Sequence, residues 1–304
     1  MRKIKYALLL IFLFSIAIHP QNKNDKPIFT FMVVTDIQYK DAANAGSRHY
    51  RQSLGKLKEC VQKADSIKPD FIVHLGDFID GNFASYDSVL AIWNKLTIPK
   101  YLVMGNHDYN VEDKYKLRIY SKLGLDKIPN GKAYYDFTDK NWHFIVLNGN
   151  DMSYQSVMPD TKDSEILEKF KSQLKQKSKA LAWTGGLSST QLNWLDDLLT
   201  QADNKKENVI VLCHFPLFPE LISSIWNDYD VVNILNKHKS VAAYFAGHVH
   251  AGDFEKKNNI YYVTFKGALE DDTNAFALVS IYSDKIEIKG FGREPDRLLK
   301  LNKK

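Results

Sequence analysis

Gly105-Asn106-His107-Asp108 sets an amide, an imidazole and a carboxylate side by side, directly after the apolar run Tyr101 to Met104. The amide oxygen of Asn106 can serve a hard metal ion, and His107 can give or take a proton near neutral pH. Gly and Asn are also ordinary turn residues, so the stretch gains weight only if others answer it. Four do. Asp36 and Gln38 follow the run Ile28 to Thr35, Asp77 and Asp80 follow Phe71 to Leu75, His214 follows Val209 to Cys213, and His248 and His250 follow Val241 to Ala246.

Each of these runs is continuous, apolar and β-branched, the composition of a strand covered on both faces. Between them lie helical stripes. Tyr50, Leu54, Leu57, Cys60, Val61, Ala64 and Ile67 recur at three- and four-residue steps and predict a helix over 48–67, stopped by Pro69. Further helices are expected over 85–96, 112–123 and 163–177, with another after Ser188, where Ser188 and Gln191 have capping-box spacing. The runs 133–138 and 142–147 read as a hairpin, and the strand-like stretches from Ile260 to Phe291 are expected to complete a second sheet. The repeated order of strand, polar residues, helix and strand predicts an α/β sandwich with its reactive groups at strand ends, where open α/β sheets bind ligands.

Groups delivered to five strand ends can converge on metal. Two ions about 3.5–4 Å apart need a carboxylate able to bridge them, with separate oxygen and nitrogen ligands on either side. The chain supplies that set, and the two-residue spacing of His248 and His250 could direct one imidazole to each ion.

The 304 residues, 44% hydrophobic, suffice for one large domain or two small ones with a buried core. Arg2, Lys3 and Lys5 precede the apolar run Tyr6 to Ile18, so 1–20 is expected to be a signal peptide, with an uncleaved anchor as the alternative, and 21–27 a linker. An exported protein follows as the expectation. Removing 1–20 takes three of the 41 basic residues and none of the 36 acidic ones, leaving a net charge of +2 and no case for a nucleic-acid partner. Cys60 and Cys213 are expected as reduced core residues. The polar stretch 149–184 interrupts the pattern and is a natural place for a lid or specificity loop, with a plain surface excursion as the equal alternative.

The ordered motifs Asp36-Ile37-Gln38, Gly76-Asp77-Phe78-Ile79-Asp80, Gly105-Asn106-His107-Asp108, His214 and Gly247-His248-Val249-His250 resemble the calcineurin-like metallophosphoesterases over nearly all the chain after residue 28. The resemblance implies a four-layer α/β/β/α sandwich of two mixed sheets flanked by helices, as one domain over 28–304. It implies that Asp36, Gln38, Asp77 and His250 hold one metal and Asp77, Asn106, His214 and His248 the other. His107 would act as general acid or as hydrogen-bond donor to the leaving oxygen, with Asp80 and Asp108 orienting the ligands or His107. Most members have histidine where Gln38 stands. An oxygen donor there favours Mn²⁺ or Mg²⁺ over tightly held iron or zinc.

That departure, with Tyr39, the Arg48 to Leu54 segment, Gly185-Gly186-Leu187-Ser188 to Leu195, and Ile288 through Arg297, is similar to the manganese-dependent ADP-ribose/CDP-alcohol diphosphatases. This implies a small nucleotide diphosphate substrate, with Tyr39, Arg48 and Arg51 as candidate contacts. Arg48 and Arg51 could equally decorate the first turn of a helix. A broad phosphodiesterase or phosphomonoesterase with the same metals, and a non-catalytic binding module, are the competing expectations.

Overall fold

The computed structural model describes residues 26–128, 131–176, 180–219 and 222–301; the expected signal peptide and most of the linker lie outside them. In chain order the elements are β1 (Phe29–Val34), α1 (Ser53–Ile67), β2 (Phe71–His74), α2 (Ser85–Trp93), β3 (Lys100–Leu102), α3 (Asp113–Lys116), α4 (Ile119–Leu123), β4 (Tyr135–Asp139), β5 (Trp142–Val146) and β6 (Met152–Ser153). They continue with α5 (Lys162–Gln173), β7 (Gly185–Gly186), α6 (Ser189–Lys205), β8 (Asn208–Leu212), α7 (Asp228–Lys237), β9 (Val241–Ala246), β10 (Asp253–Lys257), β11 (Ile260–Thr264), β12 (Ala275–Ile281), β13 (Lys285–Gly292) and β14 (Arg297–Lys300).

Two six-stranded mixed sheets form, in the orders β14-β13-β12-β1-β2-β3 and β10-β11-β9-β8-β5-β4. Strand alternation assigns the layers. On β1, Phe31 and Val33 face the other sheet and join Phe71, Val73, Phe144, Val146, Ile210, Leu212 and Phe245 in the central core. Met32 and Val34 point outward, onto Leu57, Cys60 and Val61 of α1 and Tyr86, Val89 and Trp93 of α2. Val209 and Val211 of β8 pack likewise on Leu195 and Leu199 of α6 and Val231 and Leu235 of α7. The result is the expected α/β/β/α sandwich. Both cysteines are free and buried.

Several boundaries differ from the sequence expectation. Of the stretch Ile260 to Phe291, β11 joins the second sheet as expected, but β12 and β13 join the first, because β12 runs antiparallel beside β1 and buries Ala277, Val279 and Ile281 in the central core. The first helix begins at Ser53, after Arg48 and Arg51, because the backbone of Arg48 is already paired with Ala45 and Glu270. The helix expected over 112–123 is two short ones; the Arg118 N–H bonds back to the Tyr115 carbonyl and tightens the turn between them. Ser188 accepts from the Gln191 N–H at 3.2 Å, but the Gln191 side chain spans to Asn148 and Asp151, so only half the capping box forms. Within 149–184, α5 packs Leu167 with Leu174 and Trp226 in a satellite cluster. Among the described residues no helix is long and apolar enough to cross a membrane.

Candidate metal centre

β1, β2 and β3 run parallel in one sheet and β8 and β9 in the other, so each set opens its C-terminal ends to a common edge. The division of labour is chemical. The first sheet delivers oxygen donors, on Asp36, Gln38, Asp77 and Asn106, and the second delivers the imidazoles of His214, His248 and His250.

Asp77 is the meeting point. Its Oδ2 lies 3.1 Å from His214 Nε2 and accepts from Gln38 Nε2 at 3.0 Å, while Oδ1 accepts from the His107 N–H at 2.7 Å. Asp36 Oδ1 is 3.3 Å from His250 Nε2 and 4.0 Å from His214 Nε2, and Gln38 Nε2 is 3.0 Å from His250 Nε2. Ligand atoms of Asp77, His214 and His248 lie within 4.8 Å of one another.

Among the described residues Gln38 Oε1 and Asn106 Oδ1 are buried with no hydrogen-bond partner, whereas Asp36 Oδ1 and His214 Nε2 face their ion-pair partners, His250 and Asp77 respectively. Leaving one such group unpaired costs about 1–3 kcal/mol, so the two amide oxygens, buried in one cluster with carboxylates and imidazoles, point to a ligand that takes lone pairs. Carboxylate, amide and imidazole donors together fit divalent cations. The imidazoles are set for it: His214 donates its Nδ1–H to the Leu75 carbonyl at 2.8 Å, and His250 Nδ1 faces Glu270 Oε1 at 2.5 Å, each turning Nε2 inward.

Without an ion, the carboxylates favour a proton on two of the three imidazoles. Burial opposes charge on His214 and His250, but Asp77 for the first and Asp36 for the second outweigh it and raise their pKa values to about 9 and about 10. Burial pulls His248 down to about 3, so it stays a neutral donor. Burial resists ionisation of Asp36 and Asp77 too, yet the histidines hold both below the usual carboxylate range.

The backbone is bent to make this cluster. Asp36, Gln38, Asp77 and His248 have φ of 52°, 42°, 59° and 68°, a left-handed conformation uncommon outside glycine. Gly76, at φ 103°, must be glycine, since a Cβ there would lie 2.5 Å from His214 Nδ1.

Asp80 rather than Asp108 reaches His107. Asp80 Oδ1 is 3.0 Å from His107 Nδ1, and its Oδ2 accepts from Lys40 at 3.0 Å. Asp108 instead accepts from the N–H groups of Asp77 at 3.0 Å, Phe78 at 3.0 Å and Gly105 at 2.9 Å, clamping two strand-end loops together. A polar cavity of about 490 Å³, lined by Tyr39, Lys40, Asp80, Asn82, Ser85 and Asn110, opens beside this pair. Of the two arginines, Arg48 stands 3.8 Å from Glu270, whereas Arg51 is exposed and paired with Asp41. Sequence reasoning missed Glu270; the signal available was a carboxylate shortly after β11, the parallel neighbour of β9.

The calcineurin-like phosphoesterase family profile matches residues 29–252. The manganese-dependent ADP-ribose/CDP-alcohol diphosphatase of Mus musculus is 30% identical, over 90% of this chain and 94% of its own, and that of Arabidopsis thaliana is 32% identical, over 88% and 96%. The crystal structure of a dimetal phosphatase from Danio rerio superposes with a TM-score of 0.82 at 27% identity, covering 91% of this chain and all of that one. Motifs, layers and donor cluster coincide in one conclusion: the chain belongs to the calcineurin-like phosphoesterases and is a metal-dependent phosphoesterase.

Proposed function

We propose that this protein hydrolyses the pyrophosphate bond of ADP-ribose and of CDP-alcohols such as CDP-choline, giving a nucleoside monophosphate and a phosphorylated partner. The observation that carries the reading is the similarity, over 90% and 88% of this chain, to relatives named for that activity. The amide of Gln38 among the donors supports Mn²⁺, with Mg²⁺ or another hard divalent ion as substitute.

In this reading Asp36, Gln38, Asp77 and His250 hold one ion and Asp77, Asn106, His214 and His248 a second, with Asp77 shared. Bound there, divalent ions would supply a water nucleophile at neutral pH and neutralise the phosphate oxygens. The chain's residues do the rest. His107, held through Nδ1 by Asp80, keeps Nε2 for the oxygen that leaves phosphorus and gives it a proton or a hydrogen bond. Asp108 fixes the loops that carry Asp77 and His107. Tyr39 and Arg48 contact the nucleotide; Arg51, engaged with Asp41, has the weaker support. The basic and apolar residues of 1–20 support export, and 149–184 supports a lid or specificity role within a single domain over 28–304.

The test is hydrolysis of CDP-choline and ADP-ribose by metal-stripped protein given Mn²⁺, Mg²⁺ or Zn²⁺, with products identified. Manganese-dependent release of CMP and AMP is expected. Turnover of a simple phosphate ester with neither nucleotide cleaved would move the function to a broader phosphoesterase.

A further inference from the structure

Residues 267–273 form a loop whose backbone is gripped by two cations from different elements, Lys56 and Arg293. Lys56 on α1, 5% exposed, donates to the carbonyls of Ala268 at 2.8 Å, Glu270 at 2.8 Å and Asp271 at 2.6 Å. Arg293 donates to the carbonyls of Gly267 at 2.6 Å and Thr273 at 2.9 Å. A buried ammonium sacrifices hydration, and on the apolar face of α1 an aliphatic residue would avoid that cost. Its use here points to a loop that must not move.

The loop is also stitched to the metal centre. Gly267 N donates to the His250 carbonyl at 3.1 Å and Leu269 N to the Asp36 carbonyl at 2.9 Å, so it braces two residues of the same candidate ion site. The side chain it presents there is Glu270, whose Oε1 is 2.5 Å from His250 Nδ1. Arg48 flanks the same oxygen, and its backbone pairs with that of Glu270.

We propose that Glu270 is a positioning residue that fixes the tautomer of His250 and strengthens the ion site formed with Asp36 and Gln38. The inference rests on the ligand assignment above. It also has a chemical motive. Gln38 leaves that site a single imidazole, His250, and a carboxylate on the far nitrogen makes an imidazole a more basic donor while locking its orientation. Glu270 thus offsets what the amide at position 38 withholds.

The experiment is direct Mn²⁺ binding to metal-stripped protein, read from the electron paramagnetic resonance of free Mn²⁺, for wild type, Glu270→Gln, His250→Gln and the double variant. Expected is a weakening of one class of site by about ten- to a hundredfold in Glu270→Gln, the other class unchanged, and a double variant no weaker than His250→Gln alone. Activity of Glu270→Gln should recover at saturating Mn²⁺, with the half-saturating concentration raised and kcat largely spared. Wild-type binding by Glu270→Gln beside a weakened His250→Gln overturns the proposal while leaving the ligand assignment standing. Wild-type binding by His250→Gln overturns both. Should Glu270→Gln melt early without metal, Glu270→Asp takes its place, and equal weakening of both classes in that variant also overturns the proposal.

Discussion

Asp80 Oδ1 stands 3.0 Å from His107 Nδ1, and this contact decides which ring nitrogen of His107 stays uncommitted. With Nδ1 committed to a carboxylate, Nε2 is the atom the proposed mechanism uses, and the ring cannot flip without breaking a partly buried hydrogen bond. Burial opposes protonation of His107, but Asp77 and Asp80 together raise its pKa, favouring the form that can donate.

His107→Ala is therefore expected to lower kcat by about 10² to 10⁴ while leaving Mn²⁺ stoichiometry intact, because only its backbone N–H touches Asp77. Asp80→Asn should give a smaller loss of the same kind. Asp77→Asn should remove both metal binding and turnover. Steady-state rates alongside metal counting distinguish the three; full turnover by Asp77→Asn would refute the shared-ligand role.

Gln38→His restores an imidazole where the amide now stands. It should shift preference from Mn²⁺ towards Zn²⁺ and tighten retention of metal through chelation. Comparing the ratio of Zn²⁺- to Mn²⁺-supported rates in the two proteins checks this, and an unchanged ratio would show that position 38 does not set metal choice.

His214 and His250 have pKa values raised to about 9 and about 10, against about 6.5 unfolded. Raised values mean stability that is fully present below about pH 6.5 and lost as pH climbs through 9 to 10. Metal-stripped protein should accordingly melt at lower temperature as pH rises over that window. Divalent ions compete for the same nitrogens, so their affinity should rise with pH and binding should release protons. Calorimetric titration in two buffers of different ionisation enthalpy counts those protons; none released at pH 7.5 would contradict the assignment.

Phe31 lies at the centre of the inter-sheet core, stacked on Phe71 at 4.8 Å between ring centroids and edge-on to Phe144 at 5.4 Å. Phe31→Ala should cost about 3–5 kcal/mol of stability, measured by denaturant unfolding, without altering metal preference.

What could be read from the sequence was whatever the chain writes locally. An apolar run followed at once by Asp, Asn or His states both the strand and its cargo, which is why Asp36, Asp77, Asn106, His214, His248 and His250 were legible before any fold was known. Glu270 was not, because its partner His250 lies twenty residues back and the loop that aims it depends on Lys56 and Arg293, each from a different part of the fold. The sheet membership of β12 escaped for the same reason: alternating residues reveal a strand, but not which edge it will join. Arg48 illustrates a third limit, where a helical stripe extended one turn too far into residues whose backbone was already paired.

The left-handed backbone at Asp36, Gln38, Asp77 and His248 also bears on how such a chain can change over generations. Conformations of this kind cost of order 1–3 kcal/mol each unless the surroundings enforce them, so a descendant freed from the need to hold metal would gain stability by replacing these residues with glycine. The proposed ligands are thus placed where drift pushes against them. Keeping them requires selection on turnover itself, which makes this edge of the sandwich the first place to inspect when deciding whether a relative of the same fold still works.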